Sequence, residues 1–111
     1  MLGDTLHISK YYPLAEFTKS ATADKKGIKN IANIQVINNL MELCEHVLDP
    51  VNDHYGKVAR INSGYRCYEL NKAIGGANKS QHIQGQAADI EVEGISNKAL
   101  YDYIKDNLLF D

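Results

Sequence analysis

The apolar residues of the chain recur most clearly at helical spacing over residues 34–55. An apolar side chain at every third or fourth position gives an α-helix one continuous buried face. Pro50 falls inside this run and lacks an N–H, so it is expected to end or kink the helix, with Asp49 capping the turn that resumes. Gly56 is expected to close the segment.

Two further helical patterns lie towards the two ends of the chain. Pro13 suits a first helical turn, because its missing N–H has no partner there in any case, and Gly27 suits the stop. Three apolar side chains share one side of this region: Leu14, Phe17 and Ala21. Near the other end, Ser96 is a good N-cap for a helix with an apolar face over residues 100–108.

Two strands are predicted in the second half of the chain. Residues 57–64, with Val58 as the strongest β-former, give the first, and residues 86–92 give the second. Between them, residues 67–74 are expected to form a short helix that Gly75 stops, followed by a polar, irregular stretch. This order of elements predicts an α+β domain with helices packed on a small, mainly antiparallel sheet.

A sheet of two strands is rarely stable by itself. We therefore expect either that residues 6–9 add a third strand, or that the sheet formed by residues 1–111 lacks its last strand or strands. The second case predicts low stability or dimerisation, because an unpaired edge exposes N–H and C=O groups that can pair with another chain.

Composition places the chain among single globular domains. It has 111 residues, 44% hydrophobic and 23% charged, with a net charge of -2. There is no run of five like charges to suggest a nucleic-acid site, and the apolar stretches are too short for a bilayer. The first residues resemble no secretory signal, so we expect cytoplasmic synthesis. Cys44 and Cys67 are expected to be reduced, Cys44 as a buried helix residue.

The residues most suggestive of chemistry are His82 and Asp89, an imidazole and a carboxylate that together suit Zn²⁺. Two ligands of one zinc ion place their donor atoms about 3 to 3.5 Å apart. Seven residues of extended chain would separate their Cα atoms by roughly 23 Å. The chain must therefore bend between them, and Gly85 is the residue that bends without steric cost. A solvated His and a surface Asp are the competing interpretation.

Two further polar residues belong to this region. Ser80 lies two residues before His82, where its hydroxyl can hold a ligand in its orientation. Arg66 follows the first strand, where a fixed guanidinium near a metal could bind a carboxylate or stabilise an oxyanion. The alternative is that Arg66 pairs with Glu69 at the start of a helix.

Together these residues resemble the zinc D-alanyl-D-alanine carboxypeptidase and dipeptidase family. The resemblance rests on SGYR at residues 63–66, LNKAIGG at 70–76 and SQHIQGQAAD at 80–89, in that order. EFTKSATA at residues 16–23 and the long helix are also similar to small single-domain members. The family includes phage endolysins and bacterial cell-wall peptidases, and it shares its fold with the hedgehog signalling domain.

The resemblance implies a site and a substrate. His82 and Asp89 would be the first two zinc ligands, and Arg66 would bind the substrate carboxylate or stabilise the tetrahedral oxyanion. Ser80 and Gln81 would contact the substrate, a D-amino-acid-containing stem peptide of peptidoglycan, and water activated by the zinc ion would attack the peptide carbon. No nucleic-acid or membrane partner is implied, and a phage-type lysin would act at the bacterial cell wall.

One part of the family pattern has no match in these 111 residues. Members carry a third zinc ligand and a catalytic Glu in a later stretch resembling E-x-x-W-x-H, whereas this sequence has no Trp. Two ligands alone predict weak zinc binding. The other histidines are poor substitutes, although His7 would face the site if its strand joined the sheet: His7, His46 and His54. Three hypotheses follow: a zinc peptidase truncated at its C-terminus, a non-catalytic peptidoglycan-binding or phage structural relative, and an interaction domain without a metal.

Overall fold

The computed structural model describes residues 6–77 and 80–108 of the chain. Its helical elements, in chain order, are α1 (Ala15–Thr18), α2 (Ala21–Lys26), α3 (Ile34–Leu43), a π-helical segment (Cys44–Leu48), α4 (Asp49–Tyr55), α5 (Tyr68–Ala73), a 3₁₀ turn (Gln81–Gln84) and α6 (Asn97–Asn107). Its strands are β1 (Arg60–Ser63) and β2 (Asp89–Glu91). No helix in these ranges is long and apolar enough to cross a membrane.

The two strands pair in an antiparallel sheet, which confirms the predicted α+β class. Each strand is shorter than the sequence predicted. Ile61 pairs with Ile90, but the next pair joins Ser63 to Asp89, so the register shifts between Ile61 and Ser63. An irregularity of this kind twists a strand and re-aims the side chains beside it. Here it lies directly opposite Asp89.

The segment before α1 does not add a third strand. Within the described residues, His7 forms only an isolated bridge with Pro13, and neither pairs with β1 or β2. Ile8 from this segment is nevertheless buried in the core. The segment therefore acts as a cover over the core, and the expectation of a third strand from residues 6–9 is wrong.

The long helical run from Ile34 to Tyr55 is present, but Pro50 does not end it. Immediately before Pro50 the backbone widens into the π-helical segment, in which Asp49 N–H donates to Cys44 O. The wider turn changes the hydrogen-bonding register ahead of a residue that has no N–H to donate. Asp49 makes no capping hydrogen bond, so the predicted cap is also wrong, while Gly56 ends the run as predicted with φ 66°.

The first helical region is two short helices rather than one. Lys19 has extended backbone, with ψ 140°, and Ser20 then caps α2 by accepting a hydrogen bond from Ala23 N–H. This break buries Ala23 in place of the predicted Ala21, which is exposed. The stop at Gly27 is confirmed, with φ 69°. Ser20 is a strong N-cap in the middle of the helical pattern, and a second helix therefore begins after it.

One cluster of buried apolar side chains connects helices and sheet. It draws buried apolar side chains from α1, from the long helical run, from the sheet and from α6, among them Phe17, Leu40, Leu48, Ile61 and Leu100. Cys44 lies fully inside it, and burial raises the pKa of its thiol to about 12. The free thiol of Cys67 is only partly buried. Ser96 caps α6 as predicted, accepting from Ala99 N–H at 3.1 Å.

A closed polar triad crosses this core. Asn52 is fully buried; its amide donates to the Tyr12 hydroxyl at 3.0 Å and accepts from Ala59 N–H at 2.8 Å. The Tyr12 hydroxyl donates in turn to Ala59 O at 2.7 Å. Each polar group is satisfied by another member, which is the condition for burying such groups without a large cost.

Candidate metal and substrate site

The 3₁₀ turn that carries His82 is fixed at both ends. At its start, Ser80 Oγ accepts a hydrogen bond from His82 N–H at 3.2 Å. At its end, Gly85 takes a left-handed conformation with φ 72°, which is the bend that the sequence predicted. Gly85 is also packed closely against α3, and Asn39 of α3 donates to Gln84 O at 2.7 Å. The long helix therefore holds the turn in place.

Gly85 offers a direct test of this packing. A Cβ at Gly85 would lie 2.9 Å from both a methyl carbon and the carbonyl oxygen of Val36, in addition to the strain of a positive φ. We expect Gly85→Ala to lower the free energy of unfolding by about 3 kcal/mol in urea titrations. Gly56→Ala is the matched control, because its φ is 66° and nothing lies within 4 Å of its Cβ; it should lose only about 1 kcal/mol. Equal losses in the two variants would mean that the contact with α3 does not constrain the turn.

The turn and the start of β2 bring His82 and Asp89 together. His82 Nε2 lies 3.8 Å from Asp89 Oδ2, although the two residues are seven positions apart in the sequence. The His82 side chain is 13% exposed and that of Asp89 is 66% exposed, so the pair faces solvent from the carboxylate side. Two ligands of a tetrahedral zinc ion have donors about 3.4 Å apart. A small side-chain rotation would therefore let both atoms contact one ion, and an imidazole nitrogen with a carboxylate oxygen is a donor set that suits zinc.

A backbone carbonyl fixes the orientation of the His82 ring. His82 Nδ1 lies 2.7 Å from Gly64 O. Because a carbonyl oxygen only accepts, Nδ1 carries the proton, and the lone pair of Nε2 is left free on the side of Asp89. This is the usual arrangement of a metal-binding histidine.

Gly64 is itself held against α1. The next residue, Tyr65, donates its N–H to Phe17 O at 2.7 Å. A Cβ at Gly64 would lie 2.6 Å from the same oxygen, so only glycine fits between the two backbones. The buried Phe17 therefore determines where the Gly64 carbonyl meets His82.

Arg66 lies on the other side of the His82 turn. Its backbone N–H donates to His82 O at 3.0 Å, and its Nη2 lies 3.3 Å from Ser80 Oγ. Its Nε is buried and has no hydrogen-bond partner among the described residues. Arg66 does not pair with Glu69, so that alternative is wrong. Arg66 as a whole is only half-buried, and a guanidinium carries five N–H donors, so donors other than the buried Nε–H remain for a carboxylate or an oxyanion.

Ser80 and Gln81 differ in their contacts. Ser80 Oγ joins His82 N–H to the Arg66 guanidinium, so it orders the backbone of the turn and the cation together, without contacting the imidazole ring. Gln81 is exposed, and its carbonyl oxygen accepts from Gln86 N–H across the bend at 3.0 Å. Its side chain is exposed to solvent, next to His82 in the sequence.

Asn30 is a site residue that sequence reasoning missed. Its side chain accepts from Cys67 N–H at 2.7 Å and donates to Tyr65 O at 2.8 Å and to Thr18 O at 3.0 Å. These bonds clamp the backbone on both sides of Arg66. Asn30 lies outside every helix and strand, and no spacing in the sequence marks it; only its polar side chain in a loop could have suggested a role.

The remaining histidines lie away from His82 and Asp89. His46 is exposed on the long helical run and approaches Glu45 at 3.8 Å. His54 stacks on the Tyr103 ring of α6, with ring centroids 4.0 Å apart. His7 pairs with Pro13 rather than with the sheet. Within residues 6–77 and 80–108, no three His, Cys, Asp or Glu side chains come close enough together to hold a metal ion.

Comparison with known proteins decides the family. A model of the family described as Peptidase M15 matches residues 10–111, nearly the whole chain. The chain belongs to the peptidase M15 family. Comparisons with curated proteins and with solved structures gave no match. Membership of the M15 family agrees with the resemblance seen in the sequence, and it gives the chain a hydrolase, metallopeptidase-like character.

Proposed function

We propose that this M15 domain is a zinc peptidase that hydrolyses D-amino-acid-containing peptides of peptidoglycan. The observation that supports it best is the 3.8 Å approach of His82 Nε2 to Asp89 Oδ2 beside an Arg66 that is held by Ser80 and pairs with no acidic side chain of the described residues. Both features lie inside the part of the chain that matches the family. Action at the bacterial cell wall follows from the proposed substrate.

In this proposal His82 and Asp89 are two of the zinc ligands; the described residues place no third His, Cys, Asp or Glu beside them. The Gly64 carbonyl keeps His82 in the tautomer that presents Nε2, and the bend at Gly85 brings Asp89 alongside. A bound zinc ion would supply Lewis acidity towards a peptide carbonyl and would lower the pKa of a water molecule. The protein's part is to hold both ligands on elements anchored to α1 and α3.

Arg66 supplies the fixed positive charge of the site. Its backbone is anchored to His82 and its Nη2 to Ser80, so its position is set relative to the zinc ligands. Its remaining N–H groups would bind the terminal carboxylate of the substrate or the oxyanion that develops on the scissile carbonyl. Ser80 holds the guanidinium in place, and the exposed Gln81 would contact the peptide.

The proposal is tested by the stereochemistry of hydrolysis. The chain supplied with zinc should release D-alanine from an acylated D-alanyl-D-alanine peptide, should leave the all-L peptide intact, and should stop when EDTA is added. Release from both peptides at equal rates would overturn the substrate assignment. No release, with the D,D-peptide still bound, would overturn the hydrolytic function and would support a non-catalytic peptidoglycan-binding relative instead.

A further inference from the structure

A polar groove adjoins the candidate site along the segment that carries Arg66. Its volume is about 230 Å³, and it lies between the turn that joins α1 to α2 and the end of β1. Ser63 and Arg66 line it; Ser63 pairs with Asp89 in the sheet, and Arg66 contacts Ser80. The groove therefore shares Arg66 with the proposed substrate site, and its Ser63 lies on the strand beside Asp89.

The groove is lined by two cations, by hydroxyl and amide side chains, and by three apolar residues: Ala21, Leu70 and Ile74. Lys19 and Arg66 supply the positive charge, and no Asp or Glu of the described residues lines it. The hydroxyl and amide groups come from five side chains: Ser20, Thr22, Asn62, Ser63 and Tyr65. Ser20 Oγ accepts from Ala23 N–H, which leaves its own O–H free to donate. In a chain with a net charge of -2, this is a local reversal of sign.

A second, larger groove on the sheet provides a contrast. It lies beside Gly94, and its lining includes Glu91 and Glu93 as well as Arg60, which forms an ion pair with Glu91. Its charges are thus mixed and partly neutralised within the protein. The groove beside Arg66 also contains an exposed ion pair, because Lys19 pairs with Glu16, but no acidic side chain of the described residues lines it and none pairs with Arg66.

The positive charge of Lys19 is available to a ligand. Lys19 Nζ lies 3.0 Å from Glu16 Oε1, but the two side chains are 49% and 40% exposed. An exposed ion pair of this kind is weak, because water competes for both charges. A carboxylate entering the groove could therefore take the place of Glu16.

We propose that this groove is a subsite for a second carboxylate of the peptide substrate. The peptide would place one end at the zinc ligands and Arg66, and an acidic side group at Lys19, with the hydroxyl groups of the groove contacting its backbone. This inference deepens the proposed function and depends on it for the identity of the ligand as a peptide. It assigns to the chain a preference for acidic over neutral peptides.

The test compares two synthetic peptides that both end in D-alanyl-D-alanine and differ only in one internal residue, D-glutamate or D-glutamine. Their dissociation constants are measured by calorimetry on the full chain, with zinc and without it. The acidic peptide should bind about two- to fivefold more tightly, the range expected for an ion pair with a partly exposed lysine. Equal affinities would overturn the proposal.

Three variants test whether Lys19 is responsible for the preference for the acidic peptide. Lys19→Met should abolish it, and Lys25→Met should keep it, because Lys25 is exposed on α2 and does not line the groove. Glu16→Gln should increase it, since Lys19 then loses its partner in the free protein. A preference that survives in Lys19→Met would overturn the assignment of the subsite.

The two proposals fail in different ways. Equal hydrolysis of the acidic and neutral peptides would leave the peptidase function intact and remove the subsite. A preference for the acidic peptide without hydrolysis of either would leave the subsite intact and remove the peptidase function.

Discussion

Replacement of His82 by Ala is expected to weaken zinc binding by at least on the order of a hundredfold, because loss of groups that merely orient a ligand already costs 10- to 100-fold. His82 is the one nitrogen ligand proposed, and its Nε2 is presented to Asp89 by the bond between Nδ1 and Gly64 O. Zinc titration by calorimetry measures the loss directly. Asp89→Asn should show a similar loss, and it preserves the shape of the side chain.

His46→Ala is the matched control for this experiment. His46 is 62% exposed on the long helical run and contacts only the neighbouring Glu45 among its possible ion-pair partners in the described ranges. Its removal should leave the zinc titration unchanged. Identical heats in the wild-type protein, His82→Ala and Asp89→Asn would mean that the pair has no part in binding metal.

Replacement of Arg66 by Ala is expected to lower turnover by two to three orders of magnitude while leaving the zinc content unchanged. A donor aimed at an oxyanion acts chiefly in the transition state, where its loss costs about 10²- to 10³-fold. Steady-state kinetics on the D-alanyl-D-alanine peptide separates the two roles proposed for the guanidinium. A fall in kcat alone indicates oxyanion stabilisation, whereas a rise in KM alone indicates binding of the substrate carboxylate.

Arg60→Ala is the control for Arg66. Arg60 lies in β1, six positions before Arg66, and its guanidinium is exposed and paired with Glu91 on the neighbouring strand. Its loss should leave kcat and KM as they are. A protein that loses its zinc when Arg66 is replaced would contradict the role given to Arg66, because that role involves no bond to the metal.

The sequence predicted the structural elements that are determined by residues close to one another in the chain. The period of apolar residues predicted the long helical run, and Gly27 and Ser96 marked helix ends because a left-handed glycine and a hydroxyl cap act within one turn of the chain. The need for a bend between His82 and Asp89 pointed to Gly85 for the same reason. Motifs that carry their own geometry were predictable.

The features that the sequence did not reveal depend on contacts between distant parts of the chain. Asn30 is a site residue only because the fold brings Thr18, Tyr65 and Cys67 around it. Gly64 orients His82 only because Phe17 lies against it. The accommodation of Pro50 by a π-helical segment keeps the side chains on both sides of it in one core, a tertiary effect that helix propensity does not contain.

The Asn52 triad bears on how the domain comes apart. Its three members lie at positions 12, 52 and 59. Their three hydrogen bonds therefore connect the opening segment, the long helical run and the residue just before β1. Lifting away the opening segment would remove Tyr12 and leave the Asn52 NH2 group and the Ala59 carbonyl without this partner in an apolar interior. Partial unfolding from the N-terminal side is thereby penalised, and these three regions should melt as a single cooperative block.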